Sequence, residues 1–450
     1  MLRSLFSRSQ WHALLGVGLL TAMTVMPANA QNFEVWLVDQ SDSSPSPLPS
    51  PVPGTAFGGR IYIYDGNDLR GNAIASTAPT DTIDLAGDTA SLCMTETGTN
   101  PRRPHMLLFN TGHTHAVLSF VTSGHVVIFD AITRTPLKCF RMTPGAGSAR
   151  QAHAAFPSPD NSHIVVANQN GKLLERISTD YATNTFVHET GATLDLATCT
   201  TPNGAACQDA ALRPDNAPIC PIIDSASALG FITLRGGGLF VVDFKATPMA
   251  IVAEYDKATV HGNGCGGLEA KGSMYVNSGG GTAANLSEFD VYKFPLTGYD
   301  ALNLPNTPAP VVIFSDDMST PDRDSHGMAA TGHSKYVWVL DRIRNVAEVF
   351  STRTDAHVNT VDLVGTASGD PAPDLADHAP SGNRLFVSLR GPSPLTGDPH
   401  VATGGTPGLG IVQMKEGGKN GFLKAVIPIT NKDELGAEKA DAHGIRVRRK

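Results

Sequence analysis

Residues 105–142, HMLLFNTGHTHAVLSFVTSGHVVIFDAITRTPLKCFRM, decide the fold of this chain. A short apolar run opens at His105 and breaks at a Gly-containing turn. A β-branched run follows, then a Ser-Gly turn, a second such run, an Asp/Thr turn and a last apolar run. Apolar runs of strand length, punctuated by Gly, Ser, Asp and Asn, read as four consecutive antiparallel strands. The same skeleton returns in 153–178, HAAFPSPDNSHIVVANQNGKLLERIS, and in 326–363, HGMAATGHSKYVWVLDRIRNVAEVFSTRTDAHVNTVDL. It continues in 219–244, in 261–281 and from 374 through 408–414 to 421–429. Such a unit has two apolar faces that only neighbouring copies can cover, so the repeat predicts the blades of a β-propeller.

Six units are complete. The chain ends supply a seventh, because FEVWLVD (33–39), GRIYIYD (59–65) and DTIDL (81–85) lack a first strand and AHGIRVRR (442–449) is a first strand with nothing after it. Joining them closes the ring and removes the open edges a strand array would expose. The expectation is an all-β, seven-bladed propeller closed by both termini; the competing arrangements are an eight-bladed ring and a pair of β-sandwiches.

The start of the chain reads as a secretory signal. Arg3 and Arg8 precede an uncharged run from Ala13 to Val25, and Ala28-Asn29-Ala30 places small residues at a cleavage site. Residues 1–30 are thus expected to be a signal peptide, with a single propeller domain over 31–450 and a Pro/Ser-rich loop at 41–54. The apolar run is shorter than the roughly 20 residues of a spanning helix, so no membrane span is expected after cleavage. Export to the periplasm or beyond suits six cysteines, an even number. Cys199 and Cys207 flank a short Thr/Asn/Gly/Ala-rich stretch and are the first disulfide expected. Cys93, Cys139, Cys220 and Cys265 allow further bridges, among them Cys220–Cys265, with Cys265 otherwise available as a soft metal ligand.

Several classes fall away. A net charge of -8 without a basic block gives no grip on nucleic acid, and the tail Arg446–Lys450 is too short to supply one. CxxCH, GxSxG and HExxH motifs are missing, which removes attached haem c and any motif for a serine hydrolase or zincin. The Gly-rich segments HGNGCGG and NSGGG precede no helix and do not read as nucleotide loops.

The first strand of a blade lines the central channel. His105, His153, His261, His326, His378 and His443 all stand near the start of such strands, so six blades are expected to aim an imidazole at one axis. Several imidazoles with few carboxylates suit zinc or copper rather than calcium or magnesium. The competing reading makes the histidines a repeat consensus that hydrogen-bonds neighbouring blades. Asp324, Asp377 and Asp441 lie just before three of the histidines and are candidates to orient them, or plain turn residues. Asn168, Arg235, Arg342 and Arg390 occupy matching turns on the same face, either for an anionic ligand or in ion pairs with the next blade.

The segment His153-Ala-Ala-Phe-Pro-Ser-Pro-Asp-Asn followed by His163-Ile-Val-Val-Ala-Asn resembles the repeat of YVTN-type seven-bladed propellers. Other units depart from it, with Gly332-His333-Ser334 or Ser381-Gly382-Asn383 in the turn. The resemblance implies the fold; that family hosts several unrelated functions. Periplasmic zinc metallochaperones offer the functional analogy. The expectation is a metal-binding propeller, carrier or store, that hands zinc or copper to an acceptor or envelope protein. A copper oxidoreductase using the same channel and a protein-interaction scaffold are the alternatives.

Overall fold

The computed structural model describes residues 32–43, 56–70, 76–279, 288–300, 308–316, 323–393, 402–432 and 436–450. The signal segment and residues 44–54 of the Pro/Ser-rich stretch lie outside them. Seven antiparallel sheets form a ring of blades. Blade 1 is assembled from both ends of the chain, in the order Ala442–Arg449, Phe33–Asp39, Arg60–Asp65, Asp81–Asp84. Its C-terminal strand pairs antiparallel with Phe33–Asp39, Trp36 opposite Arg446 and Phe33 opposite Arg449. Blades 2 to 7 follow in chain order, with first strands Pro104–Phe109, Ala152–Pro157, Pro218–Ile223, Gly267–Ala270, Ser325–Thr331 and Pro373–His378.

The inner strands are apolar on both faces because each blade is covered twice. All seven residues of Phe33–Asp39 are buried. Trp36, Val38 and Ile63 of blade 1 pack with Leu107, Leu118 and Val127 of blade 2, and Trp338 and Leu340 of blade 6 pack with Leu385 and Val387 of blade 7. Outer strands face solvent on one side, so Val311–Ser315 is largely exposed. Between blades 1 and 2 lies a helix the strand pattern did not announce, Asp88–Thr97, ended by Gly98 at φ 73°, whose N–H bonds the Met94 carbonyl. Cys93 on this helix is disulfide-bonded to Cys139 on the outer strand of blade 2, and Cys199 to Cys207. Cys220 and Cys265 are buried thiols without a bond between them, which corrects the expected third bridge. No helix among the described residues is long and apolar enough to cross a membrane.

Candidate metal centre on the propeller axis

A first strand is regular except at its start, and that irregularity builds the site. In blades 2, 3, 4, 6 and 7 the pairing of first and second strands slips between residues 104 and 107, 152 and 154, 218 and 221, 325 and 328, and 373 and 376. In blade 1 it slips between Leu37 and Asp39, opposite His443. A bulge leaves its extra residue out of the ladder and re-aims its side chain. The residues at that place are His105, His153, Ile219, His326, Asp374 and His443; in blade 5, whose first strand begins later, Cys265 takes the place, and Cys220 follows Ile219 in the bulge of blade 4.

The ring that results is almost continuous. His443 stacks on His105 with ring centroids 3.8 Å apart. His105 Nε2 lies 3.3 Å from His153 Nε2. His153, Cys220 and Cys265 each offer a ligand atom within 4.8 Å of the others, and the two Sγ atoms are 2.8 Å apart. Asp374 Oδ1 is 3.1 Å from His326 Nε2 and its Oδ2 is 2.6 Å from His443 Nδ1.

Four histidines of the expected six thus reach the axis. His261 precedes its strand by several residues and turns to the third strand of blade 5, its Nδ1 2.8 Å from Asp290. His378 ends its strand, far from the bulge, and pairs with Asp377 at 3.4 Å. Cys265 and Asp374 stand where those two were expected, and in blade 4, for which no histidine was available, Ile219 holds the place while its neighbour Cys220 brings a thiol close to His153 and Cys265. The centre is therefore a mixed nitrogen, sulfur and oxygen set.

Hydrogen bonds fix how the imidazoles present themselves. His153 Nδ1 faces the Ile219 carbonyl at 3.0 Å, which can only accept. His443 Nδ1 faces the Asp374 carboxylate. His105 Nδ1 is 3.2 Å from Gln40 Oε1, and that amide is oriented by its Nε2 donating to Asp441 Oδ2 at 3.0 Å. Each Nδ1 therefore carries the proton, and each Nε2 offers a lone pair. Burial, then the neighbouring His443 and His153, pushes His105 well below the usual imidazole range. Burial lowers His443 as well, and its Nε2 is a buried atom without a hydrogen-bond partner. Burial, reinforced by Cys265, pushes the Cys220 thiol well up. Buried imidazole nitrogens brought this close are a costly arrangement unless a proton or a cation is shared between them.

The surrounding charges are arranged differently from expectation. Asp324 and Asp441 do not touch the imidazoles that follow them; each forms a two-point ion pair with an arginine, Asp324 with Arg342 at 2.8 and 2.9 Å and Asp441 with Arg390 at 2.5 and 2.8 Å. Both guanidiniums then share Asp374, at 3.3 and 2.9 Å. Burial alone would raise Asp374, but His443, His326, Arg390 and Arg342 hold its carboxyl well below the usual range. Already saturated by two guanidiniums, Asp374 is suited to orienting His443 rather than to holding an ion itself. Arg235 pairs with Asp215 at 2.6 Å and Asn168 bonds Glu175 and the Thr143 carbonyl, both away from the ring. Asp377 accepts the Val447 N–H at 2.9 Å beside its pair with His378.

The residues that hold the bulges open had no place in the sequence reading. Ser119 accepts the Met106 N–H and donates to the His153 carbonyl at 3.0 Å. Ser388 accepts the Leu375 N–H at 3.0 Å and donates to the His443 carbonyl. Asn277 accepts the Gly266 N–H at 2.8 Å and donates to the His326 carbonyl at 2.9 Å. Each sits on a second strand, satisfies the donor its own bulge frees, and straps the next blade's axial residue. Their signal was a polar side chain near the end of an otherwise apolar strand. Glycine does the rest: a Cβ on Gly266, Gly327 or Gly444 would lie 2.2–2.5 Å from the carbonyl oxygen of His326, Asp374 or His105 in the next blade.

No protein-family model matches this sequence, and no curated protein does. Among solved structures, a "putative 6-phosphogluconolactonase" from Bacteroides fragilis is 12% identical with a TM-score of 0.55, over 94% of this chain and 99% of that one. A protein from Lactobacillus plantarum is 9% identical at a TM-score of 0.53, over 92% and 99%. A functionally unknown protein from Desulfotomaculum acetoxidans is 11% identical at a TM-score of 0.50, over 93% and 99%. At such identities the likeness is one of fold, and this chain is a seven-bladed β-propeller.

Proposed function

We propose that this protein is an exported metal-binding propeller that carries or stores zinc or copper at its axis. One observation carries the reading: ligand atoms of His153, Cys220 and Cys265, from three successive blades, converge within 4.8 Å. Two sulfurs and an imidazole are a donor set for zinc or copper, and unsuited to calcium or magnesium. The pre-set Nε2 lone pairs support it further, since metal-binding imidazoles characteristically have the other ring nitrogen held by an acceptor. His105 Nε2, beside that of His153, is the chain's own candidate for a fourth donor; a shell closed by protein ligands favours holding an ion over turning over a substrate. Two disulfides elsewhere in the chain fit an oxidising compartment such as the periplasm.

The test is the zinc and copper content of the mature protein, before and after incubation with each ion, for the wild type and for the double variant His153→Ala/Cys220→Ser. The expected result is close to one ion per chain in the wild type, lost in the variant while its circular dichroism is unchanged. A wild-type protein that takes up neither ion would overturn the proposal. Transfer of the ion to an acceptor without turnover would mark a carrier, and product formation with the ion retained would mark a catalyst.

A further inference from the structure

Four of the six cysteines are bonded in pairs. The remaining two, Cys220 of blade 4 and Cys265 of blade 5, are thiols in contact, Sγ to Sγ 2.8 Å, on the wall of the centre just described. The chain forms disulfides wherever else its cysteines meet, so an oxidant able to make those bonds is able to make a third. The same two sulfurs are two of the three convergent ligands with His153. A sulfur in a disulfide no longer offers a thiolate, and soft-metal binding needs the thiolate.

We infer that Cys220 and Cys265 are a reversible dithiol–disulfide couple that gates the axial centre, holding the ion when reduced and releasing it when joined. The inference rests on the metal-binding reading for what is gated. The oxidant is a low-molecular-weight or protein disulfide. Cys265, at 4% exposure, attacks it first, since Cys220 is fully covered. One sulfur of the oxidant leaves as a thiol and a mixed disulfide forms; Cys220 then attacks Cys265 Sγ and expels the second sulfur as a thiol. Two S–H bonds are lost, one S–S bond forms, and two electrons and two protons pass to the oxidant. A bound ion occupies the sulfur lone pairs and protects the pair, so ion-loaded protein is oxidised more slowly than ion-free protein. Neither bonded pair elsewhere touches this centre, which leaves the fold's own staples unaffected by the switch.

The experiment uses the mature protein in two states, reduced and treated with hydroxyethyl disulfide, read by intact mass, by thiol count after denaturation, and by uptake of zinc and of copper(I) under anaerobic conditions. The expected result is a loss of the mass of two hydrogen atoms with no retained adduct, disappearance of both thiols, loss of the uptake, and its return on reduction. His153→Ala provides a separate readout, expected to lose uptake while still forming the bond. A bond that forms with uptake unchanged would overturn the inference, as would thiols that resist the oxidant or keep it as a stable adduct on each cysteine. If reduced protein binds neither ion, the metal-binding reading fails, and the gate with it, even where the mass shows the bond.

Discussion

His105, His153 and His443 each commit Nδ1 to an acceptor and turn Nε2 to the axis. The residues behind them matter as much as the ligands. Asp374 orients His443 while standing between Arg342 and Arg390, so replacing it with Asn keeps the shape but lets either amide group face the ring. Asp374→Asn acts one step removed from the ion, through His443 stacked on His105. It is expected to weaken zinc or copper affinity by less than the about 10–100-fold that losing the partner of a ligand itself costs, with the ion still bound at saturation; competition with a chromophoric chelator measures this. An unchanged affinity would mean that Asp374 serves only the two arginines. At this scale the sequence was legible in part. His105, His153, His326 and His443 were read as axial, whereas His261 was not separable from them, since His261-Gly262 has the same dipeptide as His326-Gly327 and His443-Gly444. The difference lies in what the glycine meets: Gly262 approaches the Arg235 carbonyl, and the other two approach the axial carbonyl of the next blade. Asp374 was hidden by His378, although Pro373-Asp374 repeats the Pro104-His105 strand start.

The bulged strand start is the element that makes the site, and it depends on second-strand polar groups. Ser388→Ala would leave the Leu375 N–H and one bond to the His443 carbonyl unmet, at a cost of about 1–3 kcal/mol, seen as a lowered melting temperature. The closing strand of blade 1 makes a second prediction, through Glu34. Its carboxylate accepts from the Trp36 indole at 3.0 Å and pairs with Arg448 and Lys450 at 3.0 Å and with Arg134 at 2.7 Å. Burial opposes ionisation, but these donors outweigh it and lower the pKa from 4.5 to about 2. A folded pKa below the unfolded one means the stabilisation is present above pH 4.5 and is lost as pH falls towards 2. The urea midpoint of the wild type should therefore fall more steeply across that window than that of Glu34→Gln. Equal slopes would show that Glu34 does not help clasp the ring. The strands themselves were legible because each alternates abruptly with Gly, Asp and Asn turns. The helix Asp88–Thr97 was not: its DTASLCMTET has no clean apolar stripe, and it is held by packing and by the Cys93–Cys139 bond.

On the scale of the molecule, closure from both termini was readable because a first strand without successors and three strands without a first strand can only complete each other. The axial chemistry was less readable, because seven residues drawn from the length of the chain converge only after the ring closes, and four of them look alike while three do not. An ion held by three blades should tie the ring together. At a free concentration of 100 times Kd it is expected to raise stability by about 2.7 kcal/mol, measured as a rise in the urea midpoint that vanishes in His153→Ala/Cys220→Ser. The measurement that bears most directly on the central claim is X-ray absorption at the metal edge of the zinc- or copper(I)-loaded reduced protein. For the zinc form the account predicts a mixed first shell, with two sulfurs at about 2.3 Å and imidazole nitrogens at about 2.0 Å. A shell of nitrogen and oxygen alone would contradict it, because the ion would then sit away from Cys220 and Cys265.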